Sequence, residues 1–340
     1  MTRVAAPGGI PPLALTMGEP AGIAPEITLN AWGARTTASL PCFFVIGDPA
    51  LYRALGAPVR EIGQASDTAA VFAKALPVLP VALAETAEPG RLSAANAHAV
   101  LAAIDLACDL AMAGDAGGIV TNPIHKRALY EAGLDVPGHT EYLAARTGGA
   151  KVAMMLSCPG LRVVPATVHL SLRDAATRLS ARLIAEQGTI LARALREDFG
   201  IGQPRIAVAA LNPHAGEEGH LGREEIEIIA PAIEAIRAAE PGVEIWGPAP
   251  ADTLFHAAAR ERYDAVLCMY HDQALIPLKT IDFEHGVNTT LGLPIVRTSP
   301  DHGTALDIAG RGTAHAGSLI AAIQAAGEMA RRRAQSRASA

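Results

Sequence analysis

Histidine carries most of the chemical content of this sequence. Among its eleven histidines, three follow apolar runs directly: Val168-His169-Leu170, Asn212-Pro213-His214-Ala215-Gly216 and Met269-Tyr270-His271-Asp272. In parallel sheets, ligands bind where strands end and loops begin. Neutral imidazoles delivered there from separate strands can surround a divalent ion at about 2.0–2.1 Å and leave positions for water or substrate. The pattern equally suits three unrelated loop histidines, because no two of them form an H-x-x-x-H pair on one helix.

A second group suits anions. Gly138-His139-Thr140-Glu141 follows Pro137 and opens a helical stretch. Thr140 and the backbone N–H groups of such a start can hold a phosphate or carboxylate. An ordinary helix cap, with Thr140 or His139 near the cap and Glu141 in the first turn, uses the same residues. Lys279, Asn288 and Arg297 lie downstream of His271. An arginine forks onto a carboxylate or phosphate, and a lysine acts as a point charge. Taken singly, each also reads as a surface residue. The G-x-G-x-x-G fingerprint is absent, so a Rossmann dinucleotide site is not supported. Two other Gly-rich loops stand in its place, Gly18-Glu19-Pro20-Ala21-Gly22-Ile23-Ala24-Pro25-Glu26 and the run from His302-Gly303 through Asp307 to Gly312.

These groups need a scaffold, and the hydrophobic pattern predicts one. Strands are expected at Leu13–Met17, Cys42–Ile46, Gly118–Thr121, Lys151–Leu156, Val163–His169, Arg205–Leu211, Ala265–Met269 and Ile295–Thr298. Helical stretches lie between them. Ser180 caps one that carries Leu183, Ile184, Ile190, Leu191 and Leu195 at helical spacing. Another runs from Arg223 to Glu240, with Ile226, Ile229, Ile233 and Ile236 as its core stripe. Strand–helix alternation predicts an α/β fold with a largely parallel sheet. The length, 340 residues, predicts two domains, with a crossing near Ala145 to Ala150.

Composition limits the function classes. The chain is 50% hydrophobic and 18% charged, with a net charge of −6, which does not favour nucleic acid. The one basic run, Arg331-Arg332-Arg333, reads as a solvated, frayed C-terminus. Both termini are expected to be disordered. The four cysteines form no C-x-x-C pair, which suits a reduced, cytoplasmic protein. Met1 to Pro12 lacks the apolar core of a signal peptide, and no membrane-spanning apolar run is expected.

Taken together, GEPAGIAPE, TNPIHK, GHTEYLA, LNPHAGE, GPAPADTLF, MYHDQALIPLK, GVNTTLGLPIVRTSPDHGTALDIAGRG and AGS resemble the 4-hydroxythreonine-4-phosphate dehydrogenase family of vitamin B6 synthesis. The resemblance runs from Leu13 to about Ala326. It implies His169, His214 and His271 as ligands of a divalent metal (zinc, magnesium or cobalt) shared across a homodimer interface. It implies His139, Thr140, Lys279, Asn288 and Arg297 as substrate contacts, with Lys279 as base or anion clamp. The two Gly-rich loops also resemble the cofactor loops of isopropylmalate and isocitrate dehydrogenases. That likeness implies the same two-domain α/β/α fold, not a Rossmann fold. It implies Gly18, Glu19, His302, Gly303 and Asp307 around an NAD cofactor, with NADP also open. Asp307 would then read the ribose and favour NAD, or else cap the helix that follows. The domains implied are 1–145 with about 285–340 on the cofactor side, and about 146–284 carrying the dimer interface and metal ligands.

The implied reaction is oxidation of 4-hydroxy-L-threonine 4-phosphate to a 2-amino-3-oxo acid phosphate, which decarboxylates to 3-amino-2-oxopropyl phosphate. One alternative is the sugar-acid branch acting on 4-phospho-threonate or 4-phospho-erythronate. His125, in place of the Asn of that branch, favours the first. A three-histidine metal hydrolase and an inactive metabolite-binding protein are the others. The hydrolase leaves HGTALDIAGRG unexplained, and the complete ligand set argues against the inactive protein.

Overall fold

A computed structural model describes residues 9–134 and 138–339. The chain divides into two compact units, 1–150 with 293–340, and 151–292. The first opens with β1 (Leu13–Thr16), α1 (Ala24–Gly33), β2 (Phe43–Gly47), α2 (Pro49–Ala54), β3 (Val59–Glu61), α3 (Thr68–Val71), β4 (Leu76–Pro80), α4 (Ala97–Ala113), β5 (Ile119–Val120), α5 (Lys126–Glu131) and α6 (His139–Arg146). The second contains β6 (Ala153–Cys158), β7 (Leu161–Thr167), α7 (Leu172–Arg178), α8 (Ala181–Glu197), β8 (Arg205–Ala209), α9 (Ala230–Ala239), β9 (Glu244–Ala249), α10 (Ala257–Arg260), β10 (Ala265–Tyr270), α11 (His271–Ile281) and β11 (Val287–Leu291). The chain then returns to the first unit with β12 (Arg297–Pro300) and α12 (Gly317–Ser339).

In the first unit the strands run β3-β4-β2-β1-β5-β12, all parallel. Every residue of β1 and β2 is buried. That is the signature of a parallel sheet covered on both faces. α4 packs against β1 and β2, and α12 against β12. The stretch Ala94–Ala113 is long and apolar enough, by length and composition, to cross a membrane. This corrects the expectation that no such run exists. Its Val100, Leu101, Ile104 and Cys108 are buried, as expected of a packing helix.

In the second unit the order is β11-β6-β7-β10-β8-β9. β10 lies between β7 and β8, parallel to both, and β9 is parallel to β8. The pairs β11–β6 and β6–β7 are antiparallel. The ladder between β11 and β6 keeps β11 in this unit, so the chain leaves it later than the sequence suggests. Side chains alternate across the sheet. Leu267 and Met269 join Ile184, Leu191 and Leu195 of α8 and Ile233 and Ile236 of α9 on one face. Val266 and Cys268 join Ala274 and Leu278 of α11 on the other.

Ser180 Oγ accepts from Leu183 N at 3.2 Å and caps α8. α9 is preceded by a π-helical turn, Glu225–Ile229. That wider turn shifts the helical phase, so Ile226 is exposed while Ile229, Ile233 and Ile236 are buried. The C-terminus also departs from expectation. α12 stays helical to Ser339, with Arg333 Nη1 donating to Leu293 O at 3.2 Å. The N-terminal expectation concerns residues that lie, up to residue 8, outside those described. The four cysteines are free.

The α8–α9 contact is set by the missing side chain of Gly188. A Cβ there would stand 2.3 Å from Ile236 Cδ1 and 2.9 Å from its Cγ1. Ile236→Ala should therefore cost about 2–4 kcal/mol by cavity formation, and Gly188→Ala alone about 1–2 kcal/mol by overpacking, net of its better helix propensity. Together they should cost less than their sum, since the new methyl enters the space that Ile236 vacates. Urea unfolding of the four proteins measures this; strict additivity would refute the contact.

Candidate functional site

The first unit assembles a cationic cluster around β12, β5 and the start of α6. Arg297 opens β12 and is 3% exposed. Its Nε and Nη2 donate to Thr121 Oγ1 at 3.2 and 2.7 Å. Burial pulls the guanidinium down to about 10, against the opposing pull of Glu141, so it stays charged at neutral pH. His139 begins α6, whose cap residue Gly138 makes no side-chain cap bond. Neither Thr140 nor His139 is the cap residue, and Thr140 sits half-buried in the first turn. Burial, then Arg297 and Lys126, holds the His139 imidazole well below the usual histidine range. Its Nε2 is shielded from solvent and has no partner. α6 is tied to α4: Tyr142 donates to Asp105 Oδ1 at 2.6 Å, and Arg146 pairs with Asp105 and Asp109 at 3.2 and 2.8 Å. The result is a neutral imidazole, a buried guanidinium and the first-turn N–H groups of a helix in one place. That combination suits an anion.

The two Gly-rich loops meet in the same unit. Gly18 has φ +70, and a Cβ there would stand 2.5 Å from Asn122 Cβ. Asn122 Nδ2 donates to Thr16 O and Thr28 Oγ1, both at 2.9 Å, and Glu19 N donates to Pro123 O at 2.8 Å. The Glu19 carboxylate is buried and accepts from Ala21 N at 3.1 Å. It therefore shapes its own loop. Ile23 N donates to Thr304 O at 3.0 Å and joins this loop to the second. There, His302 Nε2 is shielded without a partner, Gly303 is exposed, and so is Asp307. No helix follows until α12, so Asp307 caps nothing.

In the second unit, His169, His214 and His271 follow β7, β8 and β10, three adjacent parallel strands. The rings of His169 and His271 lie 6.0 Å apart, tilted by 43°. Asp272 Oδ1 stands 2.7 Å from His271 Nδ1, which leaves Nε2 as the outward ligand atom. His169 and His214 adopt left-handed backbone, with φ of 52° and 53°. Such residues cluster at functional sites. His214 heads a left-handed turn through Glu218. Glu225, 3% exposed, clamps its base: Oε1 accepts from Leu211 N and Asn212 N at 2.9 and 2.8 Å, and Oε2 from Asn212 Nδ2 at 3.0 Å. Three imidazoles are donors of the kind a divalent ion takes, and two of the rings are adjacent. Among the described residues, however, no three His, Cys, Asp or Glu side chains converge closely enough to hold an ion. His214 has to approach the other two for the trio to act together.

Asn288, on β11, has its Oδ1 shielded and unpartnered. Lys279 lies in the last turn of α11 with its Nζ 5.3 Å from the ring of Phe283. At 1.5 Å per residue, that places it about 12 Å along the helix from His271. Sequence reasoning missed the supporting residues Thr121, Glu225 and Asp272. Only the adjacency in His271-Asp272 was a usable signal.

His139 makes the first unit acid-sensitive. Its folded-state affinity for a proton is below that of the unfolded chain, so its contribution is intact above the ordinary histidine range. That contribution is lost as pH falls through the folded value. Wild type should lose more thermal stability between pH 7.5 and 5 than His139→Gln. Scanning calorimetry at the two pH values measures this, and equal losses would mean that His139 titrates normally.

Comparison with known proteins places this geometry. A 4-hydroxythreonine-4-phosphate dehydrogenase of Caulobacter vibrioides is 53% identical over 330 residues, covering 95% of this chain and 98% of that protein. One of Bradyrhizobium diazoefficiens is 52% identical over 336 residues, covering 94% and 97%. The crystal structure of 4-hydroxythreonine-4-phosphate dehydrogenase from Klebsiella pneumoniae matches with a TM-score of 0.84 at 40% identity, over 95% of this chain and 98% of that one. The family model described as pyridoxal phosphate biosynthetic protein PdxA matches residues 39–326, and with it these likenesses show that the chain belongs to that family.

Proposed function

We propose that this protein is a cytoplasmic dehydrogenase that oxidises 4-hydroxy-L-threonine 4-phosphate, with NAD or NADP as hydride acceptor, in pyridoxal 5′-phosphate synthesis. The observation that carries the reading is the buried Arg297 beside a neutral His139 at the uncapped start of α6. It suits a phosphorylated substrate, in a chain about half identical to enzymes named for that substrate.

Arg297 and the first turn of α6, with Thr140, bind an anionic end of the substrate. His139 adds a hydrogen bond without adding charge. Asn288 Oδ1 accepts from the substrate's ammonium or hydroxyl. His169, His214 and His271 would hold a divalent ion, zinc, magnesium or cobalt, whose positive charge favours loss of the alcohol proton. A bound nicotinamide would supply the hydride acceptor for the alcohol carbon. The resulting 2-amino-3-oxo acid phosphate loses carbon dioxide to give 3-amino-2-oxopropyl phosphate. The rise of α11 separates Lys279 from His271, which favours Lys279 as a clamp on a charged substrate group over a base at the alcohol.

The working form we propose is a homodimer that shares the metal. Leu172, Ile276 and Phe283 are 65%, 64% and 73% exposed in the second unit, and large exposed apolar side chains mark association surfaces.

Three measurements test this reading. Turnover of 4-hydroxythreonine 4-phosphate should far exceed that of 4-phospho-threonate; the reverse order would assign the protein to sugar-acid oxidation. Metal-free enzyme, verified by elemental analysis, should be inactive, and His214→Ala should lose both metal and most of kcat while staying folded. Normal turnover without metal would defeat the mechanism. Phe283→Asp with Ile276→Asp should yield an inactive monomer by analytical ultracentrifugation, whereas an active monomer would exclude the shared site.

A further inference from the structure

The turn that carries His214 is costly backbone. His214, Ala215, Gly216, Glu217 and Glu218 all take positive φ, between 45° and 75°. Left-handed residues ordinarily occur singly, and four of these five are not glycine. Such backbone persists only where its surroundings over-determine it. Here the surroundings converge on one side chain, Glu225, which opens the π-helical turn and is 3% exposed.

Glu225 meets the chain on both sides of His214. On the near side, Oε1 accepts from Leu211 N at 2.9 Å and from Asn212 N at 2.8 Å, and Oε2 accepts from Asn212 Nδ2 at 3.0 Å. On the far side, Gly216 lies so close that a Cβ there would stand 2.6 Å from Glu225 Oε2 and 3.0 Å from Gly222 O. Gly222 is packed the same way, since its Cβ would stand 2.4 Å from Asn212 Nδ2 and 2.6 Å from Glu224 Oε2. Asn212 Nδ2 also donates to Glu224 Oε2 at 2.7 Å, and Leu221 N donates to Gly216 O at 3.0 Å. Residues 213–215 are therefore pinned at 212 and at 216 against one carboxylate.

None of the three donors to Glu225 is a side-chain cation. Burying a carboxylate without one is costly, and a neutral residue could fill the same space. What the carboxylate adds is two accepting oxygens that take two backbone N–H groups and an amide together. That capacity has a use where the backbone ahead of His214 must hold one conformation. His169 and His271 already bring their rings to 6.0 Å, while no three His, Cys, Asp or Glu side chains converge among the described residues. His214 is thus the donor whose placement decides whether the trio forms. With its backbone fixed, only the two side-chain torsions remain to bring the ring in.

We infer that Glu225 is a positioning residue: by fixing the backbone at 212 and 216 it presents His214 to a divalent ion and so raises the affinity for that ion. Supports behind a metal ligand are worth about 10–100-fold in metal affinity. The inference rests on the metal-dependent dehydrogenase reading above, and Glu225 acts on the ion through His214 alone.

Titration of the metal-free, full-length protein with Co²⁺, followed by its ligand-field absorption, tests this without turnover. Glu225→Ala removes all three hydrogen bonds and should weaken Co²⁺ about tenfold or more. Glu225→Gln keeps the shape but replaces one accepting oxygen by a donor, and should weaken Co²⁺ by a smaller factor. In a His214→Ala background neither substitution should weaken Co²⁺ further, because the effect runs through that imidazole. Tm reports folding in every variant, and Glu225→Gln carries the test if Glu225→Ala does not fold. Wild-type Co²⁺ affinity in Glu225→Gln, whatever its Tm, would overturn the assignment. So would an equal loss in the His214→Ala background, the mark of a general loosening of the unit. Failure of the wild type to bind Co²⁺ would sink the metal reading as well. Co²⁺ held through His214 yet indifferent to Glu225 would leave that reading standing and remove only the role of Glu225.

Discussion

The parallel order β7-β10-β8 is the constraint on which the second unit's chemistry depends. Hydrogen bonds between neighbouring strands fix their register, with Leu267 opposite both Val164 and Val208. Because the strands are parallel, all three end on the same edge. The residues that follow them, His169, His271 and His214, are thereby drawn to one side of the unit. Burial of alternate side chains on both faces holds that order. A slip of one residue would send Leu267 and Met269 from the α8–α9 core to the α11 side.

The edge itself is under strain, and the strain is localised. His169 and the turn from His214 to Glu218 take left-handed backbone, at about 1–2 kcal/mol per non-glycine residue. Glu225 offsets part of this by collecting two backbone N–H groups and the Asn212 amide at the base of the turn. Charged hydrogen bonds of this kind contribute about 1.5–3 kcal/mol each. The clamp belongs to a π-helical turn, a feature frequent at functional sites. It holds the root of the turn that His214 heads, and the imidazole itself is exposed.

What the sequence revealed follows from which signals are local. All eight expected strands are present within a few residues, because each is an apolar run long enough to be read alone. β3, β4, β9 and β11 were not expected. β3 and β9 are edge strands: β3 is mostly exposed, and the short apolar stretch of β9 is broken by Gly247-Pro248, so neither offers an apolar run. β4, LPVLP, carries two prolines that read as turn signals. β11, VNTTL, has a polar middle that only its pairing with β6 explains. The site was legible as residues but not as environments. Arginine is seldom fully buried, and nothing near Arg297 in sequence announces that Thr121 and α6 enclose it.

The two units answer different electrostatic problems. In the first, the anion cluster keeps its buried positive charge on the Arg297 guanidinium. The neighbouring imidazole is held neutral by burial first, and then by that charge and by Lys126. A protonated His139 would bind an anion more strongly but would stand uncompensated when the site is empty, a penalty that buried charges rarely sustain. In the second unit the imidazoles are exposed or half-buried at strand ends, where water screens them and a metal or substrate can reach them. Imidazole nitrogens suit a ligand that brings its own positive charge, and a fixed cation suits one that brings negative charge. The division follows from where each residue sits: Arg297 at the head of a fully buried strand, β12, and the histidines just beyond the ends of theirs.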